Sequence, residues 1–136
     1  MINFFVNRAL AGETLTVYEP GTQARNFVHV RDVARAYVRS AERLVGRLAR
    51  GETRVETYEI ARNESMGVME VAEIVQETAR EERGIEVDVE LVENPRSGET
   101  MVEEFGVGIS SARDVLGWEV RESVEEAVRE GLVLEE

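Results

Sequence analysis

Residues 15–36, L-T-V-Y-E-P-G-T-Q-A-R-N-F-V-H-V-R-D-V-A-R-A, change hydrophobic period within a short span, and this limits what the chain can fold into. Leu15 and Val17 alternate with Thr14, Thr16 and Tyr18, the spacing of a strand with one buried face. Pro20-Gly21 interrupts it, because proline fixes φ and glycine accepts positive φ. Residues 27–30, F-V-H-V, form a compact apolar run that reads as a second strand. Asp32 then stands where a helix N-cap is needed. Strand, turn, strand and helix in this order belong to a small α/β domain of α+β-like character. Arg25 lies between the turn and the second strand, and its guanidinium is a planar fork of donors suited to a carboxylate or phosphate.

The rest of the chain supplies helices and a few more strands. Residues 2–10 read as a helix, with Asn3 a candidate cap and Gly12 the stop. Residues 32–50 read as the longest helix. Val33, Tyr37, Ala41, Leu44 and Leu48 make one apolar stripe on it, and Arg31, Arg35, Arg39, Arg43 and Arg47 recur every four residues on the other side. Residues 57–61, T-Y-E-I-A, read as a short strand. A helix over residues 68–83 follows, with Gly67 and Glu70 as a weakened capping box and Gly84 as its stop. Val68, Val71, Ala72, Val75 and Ala79 form its stripe. Residues 86–93 alternate again, with Val87, Val89 and Leu91 on one face, and N-P-R-S-G-E-T reads as a loop. The tail reads as two short helices, the first capped by Ser110 and stopped by Gly117, the second opened by a Ser123/Glu126 capping box.

Composition bounds the chemistry. A chain of 136 residues with 43% hydrophobic content is one domain with enough apolar material for a core. No run approaches the roughly 18 apolar residues of a membrane span, the first residues do not read as a signal peptide, and the expectation is a cytoplasmic protein. Cysteine is absent, so disulfides and thiolate metal sites are excluded. The one histidine, His29, cannot build a zinc site alone and is expected to be structural. Net charge is −12, and all 16 basic residues are arginine. An acidic chain without lysine suits a salt-rich cytoplasm, where self-repulsion is screened; biased codon usage is the plain alternative. Residues 25–54 run against the trend, with eight arginines against Asp32, Glu42 and Glu52.

The pattern Y-x-x-G-x-Q-x-R-N-F-V-H-V-x-D-V-A over residues 18–34 closely resembles the substrate-domain segment of extended short-chain dehydrogenases/reductases, which include nucleotide-sugar 4-epimerases and 4,6-dehydratases. Their usual form is Y-G-D-G-x-Q-x-R-D-F-V-H-V-D-D-V-A, so Glu19-Pro20 and Asn26 depart from it. V-M-E-V-A-E-I-V at residues 68–75 is similar to the family's V-x-E-L-A-E-x-I. The tail over residues 108–132 resembles D-x-S-K-A-x-x-L-G-W-x-P-x-x-S-L-E-E-G-L, with Gly108 and Ser111 replacing the usual aspartate and lysine. The resemblance implies that residues 1–136 are the C-terminal substrate-binding domain of such an enzyme, without its N-terminal dinucleotide-binding domain. It further implies that Arg25 and Arg96 contact a diphosphate, that Glu99 reaches the ribose, and that the strand at Thr16 and Tyr18 lines the base. The implied ligand is a nucleoside-diphosphate sugar.

Catalytic residues are not found. The family's cofactor grip is a G-x-x-G-x-x-G loop and its proton-transfer pair is Y-x-x-x-K; this sequence has neither, and a chain without lysine cannot hold the second. The cofactor, NAD(P), is implied only for the parent enzyme, and no metal is expected. In the family, residue 27 onward into the long helix packs on the cofactor half, so a detached domain is expected to bind that missing Rossmann half or to self-associate. Two other classes stay open: a non-catalytic binding or assembly module of the same fold, and a nucleic-acid binder using Arg31 to Arg47, which a charge of −12 disfavours. Composition alone yields one expected outcome. The thermal midpoint should rise from low to molar KCl, where the Debye length falls to roughly 3 Å; a flat or falling midpoint would count against the salt-rich reading.

Overall fold

The computed structural model describes residues 1–96, 98 and 108–134. Among them the elements run α1 (Ile2–Leu10), β1 (Leu15–Tyr18), β2 (Ala24–Arg25), α2 (Val30–Ala49), β3 (Met66–Gly67), α3 (Val68–Arg83), β4 (Val89–Val92), α4 (Ser110–Leu116) and α5 (Val124–Leu134). Five helices and short strands make the expected mixed α/β architecture.

The main core forms around α3. Val71, Ala72, Val75 and Ala79 are fully buried against Phe5, Val6 and Ala9 of α1, Leu15 and Val17 of β1, and Val128 and Leu132 of α5. Each buried valine or leucine contributes about 1.5–3 kcal/mol. α3 is set as the sequence implies: Glu70 Oε2 accepts from Gly67 N–H at 2.6 Å, and Gly84 closes the helix at φ 63°. β1 lies parallel to β4, with Leu15 opposite Val89 and Tyr18 opposite Val92. β2 is antiparallel to β3, with Arg25 opposite Met66. On β4, Val87 just before the strand is buried, but Leu91 is exposed, so the expected alternation holds only in part.

A second, smaller core joins Ala36, Ala112, Leu116 and Trp118, with Val28, Tyr58, Ile60 and Val120 against it. Asp32 organises it. Its carboxylate is fully buried and accepts from Arg121 N–H at 3.1 Å, from Glu122 N–H at 3.1 Å and from Arg35 Nη1 at 2.7 Å. Its main-chain oxygen accepts from Trp118 Nε1 at 2.8 Å.

Several sequence expectations are corrected here. Residues 27–30 are not a strand. The paired residues are Ala24 and Arg25, and the segment after them bonds to side chains: Asn26 Nδ2 donates to Arg62 O and Arg62 N–H to Asn26 Oδ1, both at 2.8 Å. α2 opens at Val30, not Asp32, because His29 is the cap; its Nδ1 accepts from Arg31 N–H at 3.1 Å. Asp32 is therefore a buried acceptor within the first turn. Residues 57–61 form no strand and pair with none among the described residues, although burial alternates over residues 57–60. Asn3 and Ser110 do not cap: the N-cap positions are Met1 and Ile109, with no side-chain cap bond. Ser123 and Glu126 do form a reciprocal box, at 3.0 and 3.1 Å.

The apolar stripe of α2 faces outward, with Tyr37 75% and Leu48 53% exposed, while Arg47 is 3% exposed. The arginine side is the one that meets the chain. A groove of about 690 Å³ runs between α2 and residues 53–60, with Tyr37, Leu44 and Val55 on its walls.

Burial pulls the Asp32 pKa upward, but hydrogen bonds from Glu122, Arg35 and Arg121 outweigh it and hold it below the ordinary 3.8. A carboxylate lowered in the folded state contributes stability above its unfolded pKa and loses it as pH falls through the folded value. Asp32→Asn should cost about 3 kcal/mol at pH 7, since the charged acceptor of two main-chain amides is lost. The gap to wild type should narrow at pH 3. Urea unfolding at both pH values checks this, and an unchanged midpoint at pH 7 would remove Asp32 from this role.

Candidate functional site

The strand carrying two of the residues suggested by the sequence, β1, ends at the carboxyl end of the parallel β1–β4 pair. Tyr18 is the last residue of β1 and is 50% exposed; Thr16, two residues earlier on the strand, is half-buried and opposite Glu90. The turn after Tyr18 carries Gly21 at φ 77°, a conformation that L side chains rarely adopt. Two main-chain bonds fasten it to the start of α3, from Met69 N–H to Gly21 O at 2.9 Å and from Val68 N–H to Gln23 O at 3.3 Å. Beneath it, Gln23 is 7% exposed, and its Nε2 donates to Tyr18 O at 3.3 Å. The other end of that amide, Oε1, is buried without a partner among the described residues.

Arg25 emerges from β2 two residues later. It is exposed, and its Nη1 donates to Ala24 O at 3.0 Å. Beside β2, Gly21, Thr22, Ala24, Ser65, Met69 and Glu70 line a hollow of about 340 Å³. Arg96 sits in the turn that follows β4, where its N–H donates to Asn94 Oδ1 at 2.9 Å. Because β1 and β4 run parallel, the segments bearing Arg25 and Arg96 leave the same end of the pair. Ligands in open α/β folds bind at that end of the strands. Glu99 lies outside the described residues.

The arginine stripe of α2 does something else. Arg31 makes a bidentate pair with Glu130 at 2.7 and 3.0 Å. Arg35 meets Asp32 and the main-chain oxygen of Glu119. Arg43 grips Glu56 at 2.7 and 3.0 Å and accompanies the Tyr58 hydroxyl at 2.8 Å. Arg47 reaches Glu52 and Glu56, each at 3.4 Å, and Arg54 O at 2.5 Å. Hydrogen bonds from Arg43 and Tyr58 hold Glu56 down at a pKa of about 2, and burial chiefly raises that of Tyr58. These arginines bind the chain to itself.

Sequence reasoning missed Gln23, whose only signal is its place in the Q-x-R pattern, and Asn26, whose partner is 36 residues away. Among the described residues no group of three or more His, Cys, Asp or Glu could hold a metal ion, and no helix is long and apolar enough to cross a membrane.

Comparison with known proteins fits this geometry. A family profile described as the NAD dependent epimerase/dehydratase family matches residues 1–61. UDP-glucuronic acid decarboxylase 6 of Arabidopsis thaliana is 32% identical over 140 residues, which take in all of this chain and 34% of that protein. The chain is thus similar to the NAD-dependent epimerase/dehydratase family of extended short-chain dehydrogenases/reductases. It spans about a third of the length of the curated relatives it matches. Among solved structures, a UDP-N-acetylglucosamine 4-epimerase from Methanobrevibacter ruminantium, in complex with UDP-N-acetylmuramic acid, is 26% identical with a TM-score of 0.69, over 97% of this chain and 37% of that one. The UDP-glucose 4-epimerase of Thermotoga maritima, with UDP-glucose, shares the fold at a TM-score of 0.72 and 24% identity, over 96% of this chain and 37% of that one.

Proposed function

We propose that this chain is the substrate-binding part of an NAD(P)-dependent nucleotide-sugar epimerase or dehydratase, holding a nucleoside-diphosphate sugar and not catalytic alone. The observation that carries the reading is the shared exit of the Arg25 and Arg96 segments from the end of the strand pair bearing Thr16 and Tyr18. Two guanidiniums there would clamp a diphosphate, with the end of β1 lining the base and Glu99 reaching the ribose. The names of the relatives, which are UDP-sugar enzymes, support the same ligand class.

The described residues do not fit the dinucleotide. A pyrophosphate is held by open amides at a helix N-terminus after a glycine-rich turn. At α3 those amides are taken: Gly67 N–H by Glu70, Val68 N–H by Gln23 O and Met69 N–H by Gly21 O. The sequence offers no other glycine loop of that kind and no lysine for a Y-x-x-x-K pair. In this reading the cofactor and the proton-transfer pair stand on another body, which would cover the bare apolar face of α2. A non-catalytic binding or assembly module of the same fold is the second reading, and the same face favours it. The nucleic-acid reading loses support because Arg31, Arg35, Arg43 and Arg47 are engaged within the chain.

Arg25→Ala and Arg96→Ala should each weaken UDP binding by about 1.5–3 kcal/mol, the worth of a hydrogen bond to a charged group. Arg39→Ala, on the far side of α2, should leave it unchanged. NMR titration of UDP and of a short duplex into the three variants tests this. Duplex shifts centred on Arg39 and Arg43, with none from nucleotide at Arg25 or Arg96, would reject the assignment. The exposed α2 face gives a separate expectation: without its covering body the chain self-associates. Light scattering over a concentration series should show species larger than a monomer, and a constant monomer mass would speak against an uncovered docking face.

A further inference from the structure

We propose that Asn26 is the positioning residue for Arg25, fixing the main chain that carries its guanidinium through a two-bond clamp on Arg62. The inference rests on the nucleotide-binding reading above. Arg25 is exposed, and among the described residues its side chain meets only Ala24 O, its own neighbour. Its placement therefore depends on its main chain. On one side that chain is held by β2–β3, a ladder of two residues, and pairings so short are weak. On the other side stands Asn26.

The clamp uses both ends of the amide. Asn26 Nδ2 donates to Arg62 O and Arg62 N–H donates to Asn26 Oδ1, each at 2.8 Å. The geometry copies a strand bridge with a side chain in place of a strand. Arg62 is itself anchored: its Nε donates to Phe27 O at 3.1 Å and its Nη2 to Glu122 O at 2.5 Å. Residues 25–27 are thus tied to the start of α5 and to the second core.

Asparagine is the side chain this clamp requires. An ionised aspartate, the usual residue of the resembling pattern, can accept from Arg62 N–H but has no proton for Arg62 O. It would set an oxygen against that carbonyl and place a negative charge beside Arg25. A protonated aspartate regains one donor, so the defect of Asn26→Asp should be reversible with pH.

The test measures UDP and uridine binding to wild type, Asn26→Asp and Asn26→Ala between pH 7.5 and 4.5. At pH 7.5 Asn26→Asp should weaken UDP about tenfold, the equivalent of one hydrogen bond, and leave uridine unchanged, because only the diphosphate meets Arg25. The ratio of wild-type to Asn26→Asp affinity should fall as pH approaches the aspartate range, near 4. Asn26→Ala should lose UDP affinity without that recovery. Equal losses for UDP and uridine, a ratio that does not move with pH, or wild-type affinity in Asn26→Asp would each overturn the proposal. Main-chain ¹⁵N order parameters decide the case without a ligand. Those of Arg25 should drop in Asn26→Ala while those of α3 stay constant, and unchanged values at Arg25 would overturn the clamp. If wild type binds no UDP while Arg25 loosens in Asn26→Ala, the nucleotide reading fails and the clamp stands.

Discussion

The buried carboxylate of Asp32 is the interaction on which the second half of the molecule depends. It sits in the first turn of α2, fully buried, and takes amide donors from Arg121 and Glu122, the residues just before α5. The same residue's main-chain oxygen receives the Trp118 indole. One residue thus sets where Trp118 is buried and where the chain turns toward Ser123. Burying a charge is costly unless it is paired and hydrogen-bonded throughout. Here Arg35 supplies the countercharge and two amides supply the remaining donors, so the ionised form is the one the site is built for.

α2 follows from that anchor. Once Asp32, Ala36 and Arg47 face inward, the apolar stripe must face out, because the two faces of one helix are fixed relative to each other. Arginine can take the inner face because its long stem buries as hydrocarbon while its head reaches carboxylates at the rim. Glu52, Glu56 and Glu130 meet those heads, so a run of like charges along α2 becomes a set of internal ion pairs. The consequence is a helix whose hydrophobic side lacks a counterpart among the described residues. Val30 at 73%, Tyr37 at 75% and Val55 at 89% exposure lie on α2 and the segment beside it. In the proposed reading this exposed set is the face that another body covers.

How much was legible depended on whether the physics was local. α1, α3 and β1 emerged at nearly their observed bounds, because their stripes, stops and alternation are written within a few residues. The Ser123/Glu126 box was legible for the same reason. Residues 27–30 and 57–61 carry strand-like patterns, but neither forms a ladder among the described residues. Period fixes which way side chains point; it does not supply a pairing partner. The parallel pairing of β1 with β4 joins segments far apart in sequence and left no local trace. Hydrophobic periodicity shows that α2 is two-faced, not which of its faces the domain covers. For the site, the arginines and their strand came from family resemblance, whereas Gln23 and Asn26 act through partners that no local pattern reveals.

The two cores divide the molecule in a way that bears on the proposed function. β1, the Gly21 turn and the start of α3 all rest on the main core, which is closed and well buried. The inner face of α2 rests instead on the other core, around Trp118 and Asp32. The strand and turn leading to Arg25 are therefore organised by contacts independent of whatever covers α2. Asn26 and Arg62 link these regions, since their clamp ties the residue after Arg25 to Phe27 and Glu122.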